Sequence, residues 1–545
     1  MASLTKKKIG GRTYYYLRET ARVDGRPKVV KTVYVGRAED LEALLSGSLR
    51  PATVRSLAFG EVAAALRTSR RLGLKEAIDR VCPKRDQGLS VGSLIELCVL
   101  NRATSPTSKR GLAAWYEESS LSRLLRYPAR SLTPQRLFDA MGALGEEEIR
   151  KVEEEVVKRA LEAYGLTPET LLFDTTNFAT YLDSATPAEL PRRGHSKTKR
   201  NDLRLVGLAL LLSRQEEVPL LSEIYPGNLP DPKTFPRVLS RLAERSRALA
   251  GRDPELTLVF DKGMNSKMNL GLIEGTPFHF VGSLSPLRHK RLLTLAAGEA
   301  ETFPGLAGVE AWRTEAQLFG RQLTLVLCHS QEFKEKQERG LAQTIARAEK
   351  RLQELARPRT RPETIERRLP EILAARHLSE VLLIYSDLAT RTLRYERNER
   401  AIAELSQTLF GQTILMTDQH DWTTEEIIRA YRSQAAIERA FRQLKASDLV
   451  ALMPMWHWTD QKIRVHAFTC VLALLVLRLM ALEARRAGLG LEAPGILEEL
   501  RGIRETVLVY RSVGRGRPRV VRTLTECSPT QAKLITILGL ENLAP

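Results

Sequence analysis

The chain is short of the residues that build extracellular or metal-stapled folds. Its five cysteines, Cys82, Cys98, Cys328, Cys470 and Cys527, are scattered over 545 residues without a C-x-x-C pair. That spacing argues against a zinc ribbon or a disulfide framework and for a reducing compartment. The eight histidines are equally dispersed, which leaves His457 and His466 to packing or polar contacts. Long apolar runs are absent too. The most apolar stretch, Phe468 to Leu477, is closely bounded by His466 and Arg478. It falls short of the ~20 residues a bilayer span needs and reads as a buried helix. The opening residues show no signal-peptide pattern. A cytoplasmic chain without a membrane role is the expectation.

Acidic charge is in deficit. Lysine and arginine number 84 against 65 aspartates and glutamates, a net charge of +19 with a pI near 9.8. Such a surplus points to an anionic partner, nucleic acid foremost, although a ribosome or a membrane surface would also answer it. A chain of this length holds several domains and buries substantial cores.

Three of the acids stand out by their surroundings. Asp174 ends the apolar run Leu171-Leu172-Phe173 and precedes Thr175-Thr176-Asn177; Asp261 ends Leu256 to Phe260 and precedes Lys262-Gly263. Both runs read as short buried strands. An acid at such a place is costly unless it is paired, hydrogen-bonded or on a metal. Glu438 lies in YRSQAAIERAFRQLK, Tyr431 to Lys445. At about 100° per residue, Tyr431, Gln434, Glu438, Arg442 and Lys445 share one arc of a helix, and Ile437, Phe441 and Leu444 the adjoining one. Taken singly, each acid also fits a cap, a turn or a solvated helix face.

Between the aspartates, Leu203 to Leu212 and Val218 to Tyr225 read as two more strands, Pro226-Gly227-Asn228 as a turn, and Asp231 to Ala250 as a helix. The predicted order is strand, strand, strand, helix, strand, with the third acid on a later helix. This order resembles the ribonuclease-H-like fold of DDE transposases and retroviral-type integrases. The whole chain resembles a bacterial insertion-sequence transposase of the DDE class, family four type, whose last acid lies in a Y-x2-R-x3-E-x6-K signature. Here that signature reads Tyr431, Gln434, Glu438 and Lys445, with glutamine at the arginine position. FDTTN, GHSKTKRNDLR (Gly194 to Arg204), YPGN (Tyr225 to Asn228), FDKGMNS (Phe260 to Ser266) and the run through Met455-Trp456-His457-Trp458-Thr459 resemble further blocks of the group.

The resemblance implies an α/β fold: a ribonuclease-H-like catalytic core interrupted by a large insertion domain, with an N-terminal β-hairpin and a helical DNA-binding region. The expected boundaries are 1–60 for the hairpin region, 61–165 for the helical region, 166–275 and 411–490 for the two halves of the core, 276–410 for the insertion and 491–545 for a C-terminal region. The insertion is expected to carry strands and a charged helical hairpin, Glu332 to Leu355 and Glu363 to Ala375, read as a solvated coiled-coil arm in preference to a DNA clamp. Gly514 to Arg519 fits either an AT-hook or a hairpin turn.

The resemblance also implies chemistry. Asp174, Asp261 and Glu438 would hold two Mg²⁺ ions, with Mn²⁺ able to substitute, roughly 3.5–4 Å apart. Double-stranded DNA, as element inverted-repeat ends and as target, would be the substrate of cleavage and strand transfer. Tyr431, Gln434, Arg442 and Lys445 would contact it, as would His195, Lys197, Lys199, Arg200 and Arg204 on a loop after the first catalytic strand. A homodimer would synapse two ends on the bacterial nucleoid. A ribonuclease-H-like nuclease without strand transfer and an inactive DNA-binding derivative are the rival readings.

Overall fold

The computed structural model describes residues 2–23, 26–38, 41, 50–83, 88–183, 185–194, 202–230, 233–250, 255–296, 298–357, 360–387, 392–510 and 518–545. Contacts divide the chain into two compact units, one made of Met1–Ala143 with Val476–Pro545, the other of Leu144–Leu475.

The first unit opens with β1 (Ala2–Ile9), β2 (Arg12–Val23) and β3 (Arg26–Arg37) in one antiparallel sheet. A simple hairpin over Lys6 to Gly36 was the expectation; the structure adds a strand before it. The reason lies in Gly10-Gly11, whose φ of +57° and +75° make the tight two-residue turn that folds β1 back onto β2. The tyrosines serve this sheet: Tyr34 lies 5.4 Å from Tyr16 and 6.1 Å from Tyr14, ring to ring. After β4 (Thr53–Ala58) comes α1 (Gly60–Arg71), the first of a run of helices that continues to Gly142.

The second unit starts with α2 (Glu146–Tyr164). Its strands β5 (Thr170–Thr180), β6 (Arg204–Ser213) and β7 (Pro219–Pro226) form an antiparallel meander. Helix α3 (Phe235–Ala250) crosses to β8 (Leu256–Val259), which pairs in parallel with β5, and β9 (Phe278–Leu284) pairs in parallel with β8. The spatial order β7-β6-β5-β8-β9 is the ribonuclease-H-like core. Strands β10 (Glu301–Thr302), β11 (Val309–Leu318) and β12 (Arg321–Ser330) do not stand apart from it. With the later β15 (Gln412–Thr417) they extend the same sheet to nine strands, β10-β11-β12-β15-β9. Residues 276–410 thus begin with a core strand, because β9 follows β8 closely enough to pair beside it.

The rest of the insertion has its own core. Helices α4 (Gln331–Leu355), α5 (Pro362–Leu373) and α6 (Glu399–Thr408) pack with β13 (Leu382–Asp387) and β14 (Thr392–Arg397) around Ile345, Leu352, Ile372, Leu382, Leu405 and Phe410. The charged hairpin is therefore a packed element and not a solvated arm: Leu341, Ile345, Ala348 and Leu352 make a buried stripe at helical spacing. Beyond β15 come α7 (Thr424–Arg432), opened by a Thr423–Glu426 capping box, and α8 (Gln434–Lys445).

Helix α9 (Asp460–Arg486) contains Phe468 to Leu477. It is long and apolar enough to cross a bilayer, but it is buried within the protein as a core helix. Near the end of the chain β16 (Arg504–Tyr510) and β17 (Arg519–Leu524) pair in the order β17-β16-β4, followed by a last α-helix, Pro529–Ile537. Residues 514–517 of the Gly/Arg motif lie outside the described residues.

Glu61 of α1 is an acid inside the first unit, with one carboxylate oxygen buried and unpaired among the described residues. Burial, only partly offset by Arg504 and Arg501, pushes its carboxyl up from 4.5 to about 7. The folded state therefore binds this proton more tightly than the unfolded chain. Its contribution is full below the unfolded pKa and is lost as pH rises through 7, a loss on the order of 3 kcal/mol. Melting curves of the wild type and Glu61→Gln between pH 5.5 and 8.5 are expected to diverge, the variant gaining relative stability towards alkaline pH. Parallel curves would contradict the assignment.

Candidate active site

The site begins with the β5–β8 ladder. Leu171, Leu172, Phe173, Leu258, Val259 and Phe260 are all buried, as strands flanked on both faces must be. Leu171 pairs with Leu258 and Leu172 with Val259. Carried forward by two residues, the same offset sets Asp174 opposite Asp261, and the strand alternation turns both to the face that carries Leu172 and Val259. Phe173 and Phe260 take the other face, where each meets Phe235 of α3 edge-on at 5.4 Å between ring centroids. The apolar face thus anchors the strands from which the acids project.

Asp261 is held by its surroundings. One carboxylate oxygen accepts from the Lys262 amide at 2.7 Å, capping the turn Lys262–Met264, and from Ser283 Oγ at 3.1 Å. The Tyr431 hydroxyl lies 3.2 Å from that oxygen and 2.9 Å from Ser283 Oγ, its single proton available to either. Burial first, then the charge of Asp261 and more weakly that of Glu438, raise the Tyr431 phenol well above its ordinary range. Tyr431 therefore stays a neutral donor. Asp174 is half-buried and accepts from the Thr175 amide at 2.7 Å.

Tyr431 and Lys445 do not share one unbroken helix. Ser433, φ −65° and ψ −10°, separates α7 from α8, so the arc from Tyr431 to Lys445 is shared by two segments. Gln434, expected at a phosphate, has its amide on the fold. Its Nε2 donates to the Val259 carbonyl at 2.7 Å, with a weaker contact at 3.5 Å to the Phe173 carbonyl. An arginine here would bring a charge to carbonyls that a neutral amide satisfies. At the far end of α8, Lys445 Nζ donates to Thr176 Oγ1 at 2.8 Å and lies 5.3 Å from the Phe178 ring centroid. Gln434 at residues 173 and 259, and Lys445 at residues 176 and 178, bracket exposed Glu438 beside Asp174. Ile437, Phe441 and Leu444 bury the adjoining arc, and Arg442 is exposed.

His195, Lys197, Lys199 and Arg200 lie outside the described residues. Arg204 is not on a loop: it is the first residue of β6, and its carbonyl accepts from Thr180 Oγ1 at 3.0 Å. Two features escaped the sequence reading. Ser283 sits at the penultimate position of an ordinary apolar strand, and only its register beside β8 brings it to Asp261. Tyr181 and Trp456, their ring centroids 5.1 Å apart, form an aromatic pair near the end of β5 in which Trp456 is 63% exposed.

The Gln434 tie gives a direct expectation. Gln434→Ala should lower stability by about 1–2 kcal/mol, because it strips the Val259 carbonyl of its donor. It should also slow any carboxylate-dependent activity more than it weakens DNA binding. A loss of affinity with an unchanged rate at saturating DNA would instead make Gln434 a DNA contact.

Comparison with known proteins bears on this geometry. Residues 166–474 match the family described as transposase DDE domain. No curated protein matches the chain. Among solved structures, the piggyBac transposase synaptic complex with hairpin DNA shares 8% identity over 81% of this chain and 79% of its own, with a TM-score of 0.39. The Mos1 transposase paired-end complex with left transposon end shares 11% over 36% of this chain and 60% of its own, with a TM-score of 0.15. Those two overlaps are too loose to carry an argument; the family match spans both core halves and all three acids. The chain belongs to the DDE transposase family, enzymes that cleave DNA and transfer strands with the help of divalent metal ions.

Proposed function

We propose that Asp174, Asp261 and Glu438 are the catalytic carboxylates, and that the enzyme excises a DNA element at its ends and joins it to a target. The observation that carries this reading is the placement of the two aspartates on one face of adjacent parallel strands, with Glu438 bracketed over them by Gln434 and Lys445.

The donor set fits Mg²⁺: three carboxylates, all hard oxygen ligands, with no cysteine or histidine among them. Among the described residues no three His, Cys, Asp or Glu side chains are gathered closely enough to hold an ion as they stand. Exposed Glu438 is the group free to swing inwards, since a glutamate on a helix surface crosses rotamers easily. When bound, two such ions supply an activated attacking oxygen and a stabilised leaving oxygen for in-line displacement at phosphorus. The protein's residues do the rest. Ser283, Tyr431 and the Lys262 amide fix the orientation of Asp261. Tyr431 keeps its proton and so adds no charge that would repel a phosphate. Lys445 and Arg442 offer cations to the DNA backbone on the same helix face.

The same site serves hydrolysis and strand transfer, because water and a 3′-hydroxyl are equivalent nucleophiles in that geometry. The helices of residues 61–165 and the basic sheet β1-β2-β3 would bind the element ends, with two protomers synapsing a pair of ends on the bacterial nucleoid.

Asp174→Asn, Asp261→Asn and Glu438→Gln should each lower Mg²⁺-dependent cleavage of DNA carrying the flanking ends by about 10²-fold or more, while gel-shift affinity stays close to wild type. Joining of the cleaved 3′ end to a second duplex should vanish in the same variants. Cleavage by the wild type without joining would leave a nuclease. Cleavage that survives all three substitutions would refute the site.

A further inference from the structure

Beside the acids, the two catalytic helices carry a second concentration of charge. At about 100° per residue, Arg432 follows Tyr431 on α7 and Arg439 follows Glu438 on α8 about 100° further around. They line an open cavity of about 370 Å³ together with Arg214, Arg429 and Glu217. Four guanidinium groups and one carboxylate line it, with two further acids of α7 beside them. Arg439 pairs with Glu217 at 2.5 Å and Arg429 with Glu425 at 2.6 Å. Glu426, which caps α7, tempers Arg214 from a distance. Arg214 and Arg432 have no ion-pair partner among the described residues. Arg439 Nε is buried there without an acceptor.

Such an arrangement is costly without an anion. Arg214 is half-buried, and burial followed by repulsion from Arg429 lowers its pKa. Guanidinium forks pair bidentately with two oxygens of a carboxylate or phosphate, and a DNA phosphodiester offers its two non-bridging oxygens. The position gives the scale. Leu210 pairs with Asp174, and Arg214 follows four residues later. At about 3.3 Å per residue it stands roughly 13 Å along the sheet from that acid. The phosphates of one strand wind around the duplex axis and lie farther apart than the axial rise of about 3.4 Å per nucleotide, so this is a reach of only a few nucleotides.

We infer that this cavity holds a backbone phosphate of the DNA being cut, a few nucleotides from the phosphate attacked at Asp174 and Asp261. The inference rests on the function proposed above. The cavity belongs to the turn between β6 and β7 and to the outer arc of α7 and α8, so it takes no part in the carboxylate chemistry. It fixes the register of the duplex over the acids.

The test uses the full chain and a fluorescein-labelled duplex carrying the DNA that flanks the coding sequence. Anisotropy titrations over a KCl series compare the wild type, Arg214→Gln/Arg432→Gln and Asp174→Asn. The double variant should bind about tenfold more weakly and lose about 0.9 from the slope of log K against log salt for each phosphate contact removed. Asp174→Asn should keep the wild-type slope and lose cleavage. Replacing single phosphates by neutral methylphosphonates should weaken wild-type binding at a position within a few nucleotides of the cut, and the double variant no further at that position. Melting temperatures within a degree or two of wild type confirm that the variants fold. A cleaving wild type with an unchanged slope in the double variant would overturn the cavity's role alone. Equal methylphosphonate losses in both proteins would do the same. Absence of Asp174-dependent cleavage in the wild type would bring down the proposed function, and this inference with it.

Discussion

The register of one parallel strand pair decides everything else at this site. Leu172 opposite Val259 carries Asp174 to Asp261; a slip of one residue would send one acid to the face occupied by Phe235. What prevents the slip is apolar packing. Phe173 and Phe260 both meet Phe235 edge-on, and Phe260 stacks at 5.8 Å on Phe280 of the next strand. Each aromatic buries a large area against a neighbour that cannot follow a shifted register. The alignment of the acids is thus enforced by side chains on the opposite face of the sheet, which have no chemistry of their own.

The third acid is placed by a different means. Glu438 belongs to a helix, and helices slide more readily than paired strands. Two polar ties limit that freedom: Gln434 to the Val259 carbonyl at one end of α8, and Lys445 to Thr176 at the other. Both ties end on β5 or β8, so the helix is indexed against the strands that carry the aspartates. Glu438 itself is exposed. In the proposed function, a fixed pair of aspartates joined by an adjustable third carboxylate would suit a site that must admit a bulky, charged duplex before it closes around the reacting phosphate.

The core strands, and the position of Asp174 and Asp261 at their ends, were legible in the sequence because the signals were local. Apolar runs ending in aspartate, and a helix with one acid on its polar arc, need no tertiary knowledge, and the strand order followed from their spacing. What was not legible depends on partners distant in the chain. Ser283 looks like any residue of a short strand until β9 lies beside β8. The Gln434 amide reads as a phosphate ligand until the Val259 carbonyl is seen to need it. Arg214 and Arg432 are two arginines among many, 218 positions apart, and only the fold brings them to one cavity. The charged helices of the insertion read as a solvated arm because their glutamates and lysines outnumber the buried stripe that Leu341, Ile345 and Leu352 make.

The central claim is that Asp174, Asp261 and Glu438 converge on divalent ions over one DNA phosphate. Its most direct test is anomalous diffraction from crystals of the protein–DNA complex soaked in Mn²⁺. The account expects anomalous peaks within carboxylate-coordination distance of Asp174 and Asp261, with Glu438 turned in to share them. Peaks located elsewhere, or a site at which Glu438 remains turned to solvent while the DNA is cut, would contradict it.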